Sequence, residues 1–185
     1  MALPGRPPRL IPYSQHYTIG DGNSIIYSCH GAGFANLVQY SLETSLSRRL
    51  TQYGGVCSIG ALSPDGNTLA FIHARNDQID LYTRPIEGGT RKLLTNTKPT
   101  EVSPRWSPDG TKLAFMSKAQ SGRAVLFVID PFAGGKAVEI SGLIGSERVM
   151  PSWSADNKTA YCAKVNRHYE LCAWQNSART AHPAL

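Results

Sequence analysis

Apolar residues along the chain fall in short runs, each closed by Gly, Pro, Asn or Asp. Leu69 to Ala74 and Ile79 to Pro85 flank the polar pair Asn76-Asp77, and Leu113 to Ser117 and Val125 to Asp130 flank Ala119 to Gly122. Ile25 to Cys29 and Leu37 to Leu42 flank Gly31 to Gly33 in the same way. The runs are rich in β-branched and aromatic residues and sustain no 3.6-residue spacing, so they predict strands. Consecutive apolar positions such as Leu69-Ala70-Phe71 predict strands covered on both faces. Each pair of runs leads to a short strand ending in a hydroxyl residue: Arg49 to Thr51, Arg91 to Thr95 and Ala137 to Ser141.

This grammar is a repeat. Leu62-Ser63-Pro64-Asp65-Gly66-Asn67-Thr68-Leu69-Ala70-Phe71 recurs as Trp106-Ser107-Pro108-Asp109-Gly110-Thr111-Lys112-Leu113-Ala114-Phe115, and more weakly as Trp153-Ser154-Ala155-Asp156-Asn157-Lys158-Thr159-Ala160-Tyr161. An earlier copy, Asp21-Gly22-Asn23-Ser24-Ile25-Ile26-Tyr27, keeps the turn without the Ser-Pro lead-in. Asp21, Asp65 and Asp109 stand 44 residues apart, and Asp156 follows after 47. A period of about 40 to 45 residues with several short strands is the signature of propeller blades. The expected fold is therefore all-β, a β-propeller of about four four-stranded blades near residues 15–51, 56–95, 101–141 and 149–185, after an N-terminal extension at 1–14.

The turns have a chemical basis. In Ser-Pro-Asp-Gly, proline pre-sets φ, aspartate bonds its own backbone and glycine takes positive φ, so Asp65, Gly66, Asp109, Gly110 and Asp156 are expected as structural turn residues. One aspartate per blade does not converge on a metal. Trp106 and Trp153 share one repeat position, three before the turn aspartate, which points to equivalent packing. Small residues at Ala70, Ala114 and Ala160 would let neighbouring sheets approach closely.

Charge adds little. The net charge is +6, but its densest points are the pairs Arg48-Arg49 and Arg91-Lys92, and no basic run interleaves with stacking aromatics. No nucleic-acid partner is expected on that pattern, and no apolar window approaches the length of a membrane helix.

The repeated Trp-Ser-Pro-Asp-Gly-x-x-Leu-Ala-Phe core resembles the TolB-like β-propeller repeat. So does the passage Asp80-Leu81-Tyr82, Gly88-Gly89, Arg91-Lys92-Leu93-Leu94-Thr95 and Ser103-Pro104-Arg105-Trp106-Ser107. The likeness covers roughly residues 15 to 175 and is also a likeness, more distant, to the propeller of prolyl oligopeptidases. It implies a non-catalytic protein-interaction scaffold in a Tol-Pal-like envelope assembly and a periplasmic location. The alternatives it leaves are a propeller fragment of a larger peptidase or a small-ligand or carbohydrate-binding propeller, and a cytoplasmic location, since Met1 to Pro12 does not read as a signal. A TolB propeller typically has six blades. The four repeats here leave three readings: closed four-bladed ring, self-associating partial ring or fragment. Asn176 to Leu185 matches the closing strand poorly, and an open edge would favour self-association.

Catalytic motifs are missing. No GxSxG elbow occurs, Gly145-Ser146-Glu147 lacks the second glycine, and no two of the five histidines have zinc-like spacing. The chain is expected not to be an enzyme, with no metal and no cofactor. Partner contacts are expected at loop positions that differ between repeats: Arg75, Asn76, Asp77, Gln120, Arg123, Arg167 and His168. If Asn166-Arg167-His168 is a three-residue hairpin loop, Cys162 lies opposite Cys172, and a disulfide becomes conceivable beside the alternative of two free thiols.

Overall fold

The computed structural model describes residues 17–19, 22–31, 34–119, 124–140, 151–165, 168–175 and 178–183, with backbone alone for 17–19, 31, 59 and 159 onward. Every regular element among them is a strand. The strands come in four sets of four. The first is β1 Tyr17–Ile19, β2 Ser24–Gly31, β3 Phe34–Ser41 and β4 Ser47–Arg49, and the second is β5 Val56–Leu62, β6 Thr68–Arg75, β7 Gln78–Pro85 and β8 Lys92–Leu93. The third is β9 Thr100–Trp106, β10 Leu113–Lys118, β11 Ala124–Ile129 and β12 Val138–Glu139. The fourth is β13 Ser152–Trp153, β14 Thr159–Val165, β15 His168–Gln175 and β16 Ala178–Pro183. Within each set, consecutive strands pair antiparallel. A single parallel contact, Ala35 with Val56, joins the first set to the second.

The core explains the unbroken apolar runs. Along β6, Leu69 and Phe71 pack with Ile26, Leu37 and Leu50 of the first set, whereas Ala70 and Ile72 pack with Trp106, Leu113 and Phe115 of the third. Along β10, Leu113 and Phe115 face the second set, and Ala114 and Met116 lie in a cluster that reaches Trp153 of the fourth. Side chains that alternate across a strand thus serve two neighbouring sheets. Four-stranded meanders stacked face to face form a β-propeller.

In the second, third and fourth sets the corner between the first two strands is tied by its own side chains. Ser63 Oγ donates to Asp65 Oδ1 (2.5 Å) and accepts from Thr68 N (2.8 Å), while Asn67 N donates to Asp65 Oδ1 (3.1 Å). Ser107, Asp109, Thr111 and Lys112 repeat this arrangement. Gly66 and Gly110 take φ of 75° and 70°, and Asn157 takes the same role at 62° beside Ser154 and Asp156. These bonds hold Asp65 and Asp109 below the usual carboxylate range, the serine hydroxyls acting most. The carboxylates are therefore occupied within their own turns.

Tryptophan links one set to the next. Trp106 Nε1 donates to Ala61 O across 45 residues, and Trp153 Nε1 donates to Arg105 O across 48, both at 2.9 Å. Ala61 and Arg105 each stand four residues before a turn aspartate, so the two bonds are one bond repeated. Leu62 stands where the second set would have its tryptophan. There the neighbouring sets are joined instead by Arg84 Nη1 donating to Leu50 O and by the Arg48–Glu87 ion pair at 2.6 Å.

The closing strands are shorter than the sequence suggests, with Thr51 and Thr95 lying just past β4 and β8. Their hydroxyls do not extend the ladder. Thr51 Oγ1 accepts from Leu37 N (2.8 Å) and Thr95 Oγ1 from Leu81 N (2.9 Å), which ends the pairing while satisfying a buried amide. The poor match expected at the C-terminal stretch does not prevent pairing, because β16 runs antiparallel to β15 with Pro183 at its end, a position where a missing N–H is tolerated.

Replacing Trp106 with Phe removes the donor to a buried carbonyl while keeping an aromatic ring. The expected loss is about 2 kcal/mol, from an unpartnered acceptor plus lost packing. Chemical denaturation of the purified variant measures it; an unchanged midpoint would show that the bond does not hold the sets together.

Candidate binding cleft

A cleft of about 290 Å³ opens on the second set, lined by His73, Arg75, Asn76, Gln78, Asp80, Tyr82, Arg91, Leu93 and Asn96. Its rim is the β6–β7 hairpin, where Arg75 pairs with Gln78 across a two-residue turn. Asn76 and Asp77 occupy that turn at φ of 52° and 62°, and they are residue types that accept the left-handed region.

The cleft wall is an aromatic and basic cluster. The Arg91 guanidinium lies over the rings of Tyr53 and Tyr82, at 4.3 and 4.7 Å from their centroids. Both tyrosines stack against Phe71, which anchors them in the core. Arg91 Nη1 donates to His73 Nδ1 at 2.8 Å, and His73 Nε2 meets Gly54 O at 2.6 Å. A carbonyl only accepts and a guanidinium only donates, so His73 is the neutral Nε2–H tautomer. Burial, with Arg91 and Arg75 nearby, holds its pKa below the usual imidazole value. Gln78 Nε2 donates to Asn96 Oδ1 at 2.7 Å and ties the hairpin to the segment after β8.

Beneath the cleft, at the seam with the third set, lie two buried carboxyl groups. Asp80 Oδ1 accepts from Thr95 Oγ1 and Thr97 N, both at 3.4 Å, and Glu101 Oε1 accepts from Thr97 Oγ1 at 2.5 Å. Glu101 is only 1% exposed, and its Oε2 has no partner among the described residues. Burial, with Asp80 adding to it, pushes the Glu101 pKa up to about 7. The seam between the first and second sets holds the neutral counterpart: Asn36, Thr51 and Cys57 precede Asp80, Thr95 and Glu101 by 44 residues each. Sequence reasoning missed this pair, although comparing the repeats position by position would have marked it as a polar node that becomes ionisable once.

Of the residues expected from sequence to meet a partner, Arg75 and Asn76 line the cleft and Asp77 completes its rim turn. Gln120, Arg123 and Arg167 lie outside the described residues. His168 is a correction: it opens β15 and pairs with Val165 instead of sitting in a loop. Val165 pairs with His168 and not with Tyr169, which moves the register by one. Cys162 therefore pairs with Leu171 and Cys172 with Tyr161, so the two cysteines are not directly opposed and the geometric basis for a disulfide falls away. Sequence reasoning also missed His73, Arg91 and Tyr53, because only cross-strand pairing and the fold of the segment before β5 bring them together.

The arrangement offers two guanidinium groups and several amides to an anionic or hydrogen-bonding ligand. Among the described residues, no three His, Cys, Asp or Glu side chains gather, and no helix is long and apolar enough to cross a membrane.

The carboxyl seam gives a pH test. Glu101 has a raised folded-state pKa, so its contribution to stability is full below about 4.5 and is lost as pH rises through about 7. His73 has a lowered one, so acidification below about 6.5 destabilises through it, in the opposite sense. Glu101→Gln should gain on the parent protein by at most about 3 kcal/mol at pH 8 and far less at pH 5. Melting curves at both values check this; the same difference at each pH would contradict it.

Comparison with known proteins places this geometry. The model of the TolB beta propeller domain matches residues 14–182. The protein TolB homolog of Chlorobium luteolum is 32% identical over 152 residues, covering 59% of this chain and 34% of its own length. Dipeptidyl-peptidase 5 of Porphyromonas gingivalis is 36% identical over 63 residues, 31% of this chain and 9% of the peptidase. The chain thus spans only about a third or less of these curated relatives. Among solved structures, TolB from Acinetobacter baumannii superposes with a TM-score of 0.72 at 21% identity, covering 88% of this chain and 41% of that one. An acylaminoacyl peptidase superposes at 0.69 with 12% identity, covering 92% of this chain and 32% of the peptidase. With nearly the whole repeat array matched and its strands stacked as a propeller, the chain belongs to the TolB β-propeller domain family.

Proposed function

We propose that this chain is a non-catalytic interaction module of the TolB type, a rigid scaffold that presents its rim to a protein partner in a Tol-Pal-like assembly of the cell envelope. The observation that carries the reading is the cleft on the second set. Its floor is fixed by core packing and its rim is polar, which suits recognition more than chemistry. Relatives named as Tol-Pal system protein TolB, in Wolinella succinogenes and Francisella tularensis, support the same assignment at 32% and 30% identity over 81 and 77 residues. The periplasmic location follows from that likeness and stands or falls with it.

A second reading has its own support. Dipeptidyl-peptidase 5 and an uncharacterised peptidase of Bacillus subtilis, 31% identical over 104 residues, favour the propeller of a larger peptidase. Titrating the purified chain with purified Tol-Pal system proteins, followed by size exclusion with light scattering, separates the two. The expected result is a saturable complex of defined mass, and the same run reads self-association. No complex with any of them, together with peptidase activity in the full gene product, would overturn the proposal in favour of the second reading.

A further inference from the structure

We propose that the cleft on the second set is a carboxylate-recognition site, in which Arg91 and Arg75 take the acidic side chains of a peptide segment from a partner protein. This rests on the interaction-module reading and names the chemistry of the partner.

The first argument is that the cleft departs from the repeat. The turns, the tryptophan bonds and the threonine bonds recur from set to set, whereas the residues of this cluster do not. His73 corresponds to Cys29 one period earlier and Ser117 one period later, and Tyr82 to Val38 earlier and to Phe127, a ring without a hydroxyl, later. Tyr53 corresponds to Thr97. Packing that a propeller needs in every blade does not account for a cluster that occurs once.

The second argument is preorganisation. An arginine on a surface loses rotamer freedom when it captures an anion. Arg91 has already been ordered by two tyrosine rings and by His73, with only Nη1 assigned a partner. Among the described residues the rest of its fork has no hydrogen-bond partner. Arg75, exposed on the rim, makes no ion pair or hydrogen bond among the described residues. A planar guanidinium held in place suits bidentate recognition of a carboxylate.

The third argument is the surroundings. Asn76 on the rim and the tied pair Gln78 and Asn96 add amide groups for a peptide backbone, and Leu93, 43% exposed, offers an apolar surface for the stem of a glutamate. A volume of about 290 Å³ fits one or two side chains and not a folded domain. Asp80 is the opposing charge in the cleft. Its Oδ1 is turned to Thr95 and Thr97 and it is 3% exposed, and the lining holds two guanidinium groups against this one carboxyl, so its net charge is positive.

The test is fluorescence anisotropy with a fluorescein-labelled peptide of sequence Gly-Glu-Asp-Glu-Gly and its amide counterpart Gly-Gln-Asn-Gln-Gly. Saturable binding of the acidic peptide, at least about tenfold tighter than its counterpart, is expected. Arg75→Gln, at an exposed position, should weaken it by about tenfold with the melting temperature unchanged, and Arg91→Lys should do the same by removing the fork while keeping the charge. Equal binding of the two peptides, or affinity indifferent to Arg75→Gln, would overturn the proposal. So would tighter binding of a single-stranded oligonucleotide at the same site. A chain that holds a Tol-Pal protein but not the acidic peptide refutes this site alone. Binding of the acidic peptide without any Tol-Pal complex supports the site and removes the envelope assignment.

Discussion

The indole N–H of a tryptophan, donated to a backbone carbonyl in the preceding set, is the contact on which the stacking of the second, third and fourth sets depends. Trp106 reaches Ala61 and Trp153 reaches Arg105, so Trp106 stands just after the carbonyl that receives the next bond. The ring buries against the neighbouring sheet while its one polar atom meets an acceptor that would otherwise be left dry. Directional bonding of this kind fixes how far and at what register one sheet sits on the next, which apolar packing alone leaves loose. The small residues Ala70 and Ala114, both fully buried, allow the close approach that the bond requires.

Where the sequence spoke clearly, it spoke through local chemistry. Ser-Pro-Asp-Gly dictates its own corner, and the same side-chain bonds close it at Asp65 and at Asp109, so the period and the strand pairs were readable from residues alone. Asn76 and Asp77 were readable as the rim turn because a polar pair between two apolar strands must be a turn. The rest depended on register. One residue in a hairpin loop separates Cys162 facing Cys172 from Cys162 facing Leu171, and nothing in Asn166-Arg167-His168 dictates which count the backbone takes. Arg91, His73 and Tyr53 lie in three separate segments, and no local pattern announces that they meet.

The repeat also guides where to look for function. Equivalent positions perform equivalent structural work, so the informative residues are those that break equivalence. Asn36, Thr51 and Cys57 make a neutral seam; Asp80, Thr95 and Glu101 make an ionisable one beneath the only set that has a His–Arg–Tyr cluster among the described residues. Membership of the TolB propeller family and likeness of fold to a peptidase propeller account for the scaffold common to both groups. The cleft, and not the scaffold, is where this chain's own recognition is to be sought.

The most direct measurement is hydrogen exchange of the Trp106 indole N–H by nuclear magnetic resonance in the intact chain. If the bond to Ala61 is what joins the second and third sets, the indole proton exchanges at least about 100-fold more slowly than an exposed indole and follows the opening of the whole stack. Exchange at the rate of an exposed indole would contradict it, because the sets would then be held by apolar packing without the bond.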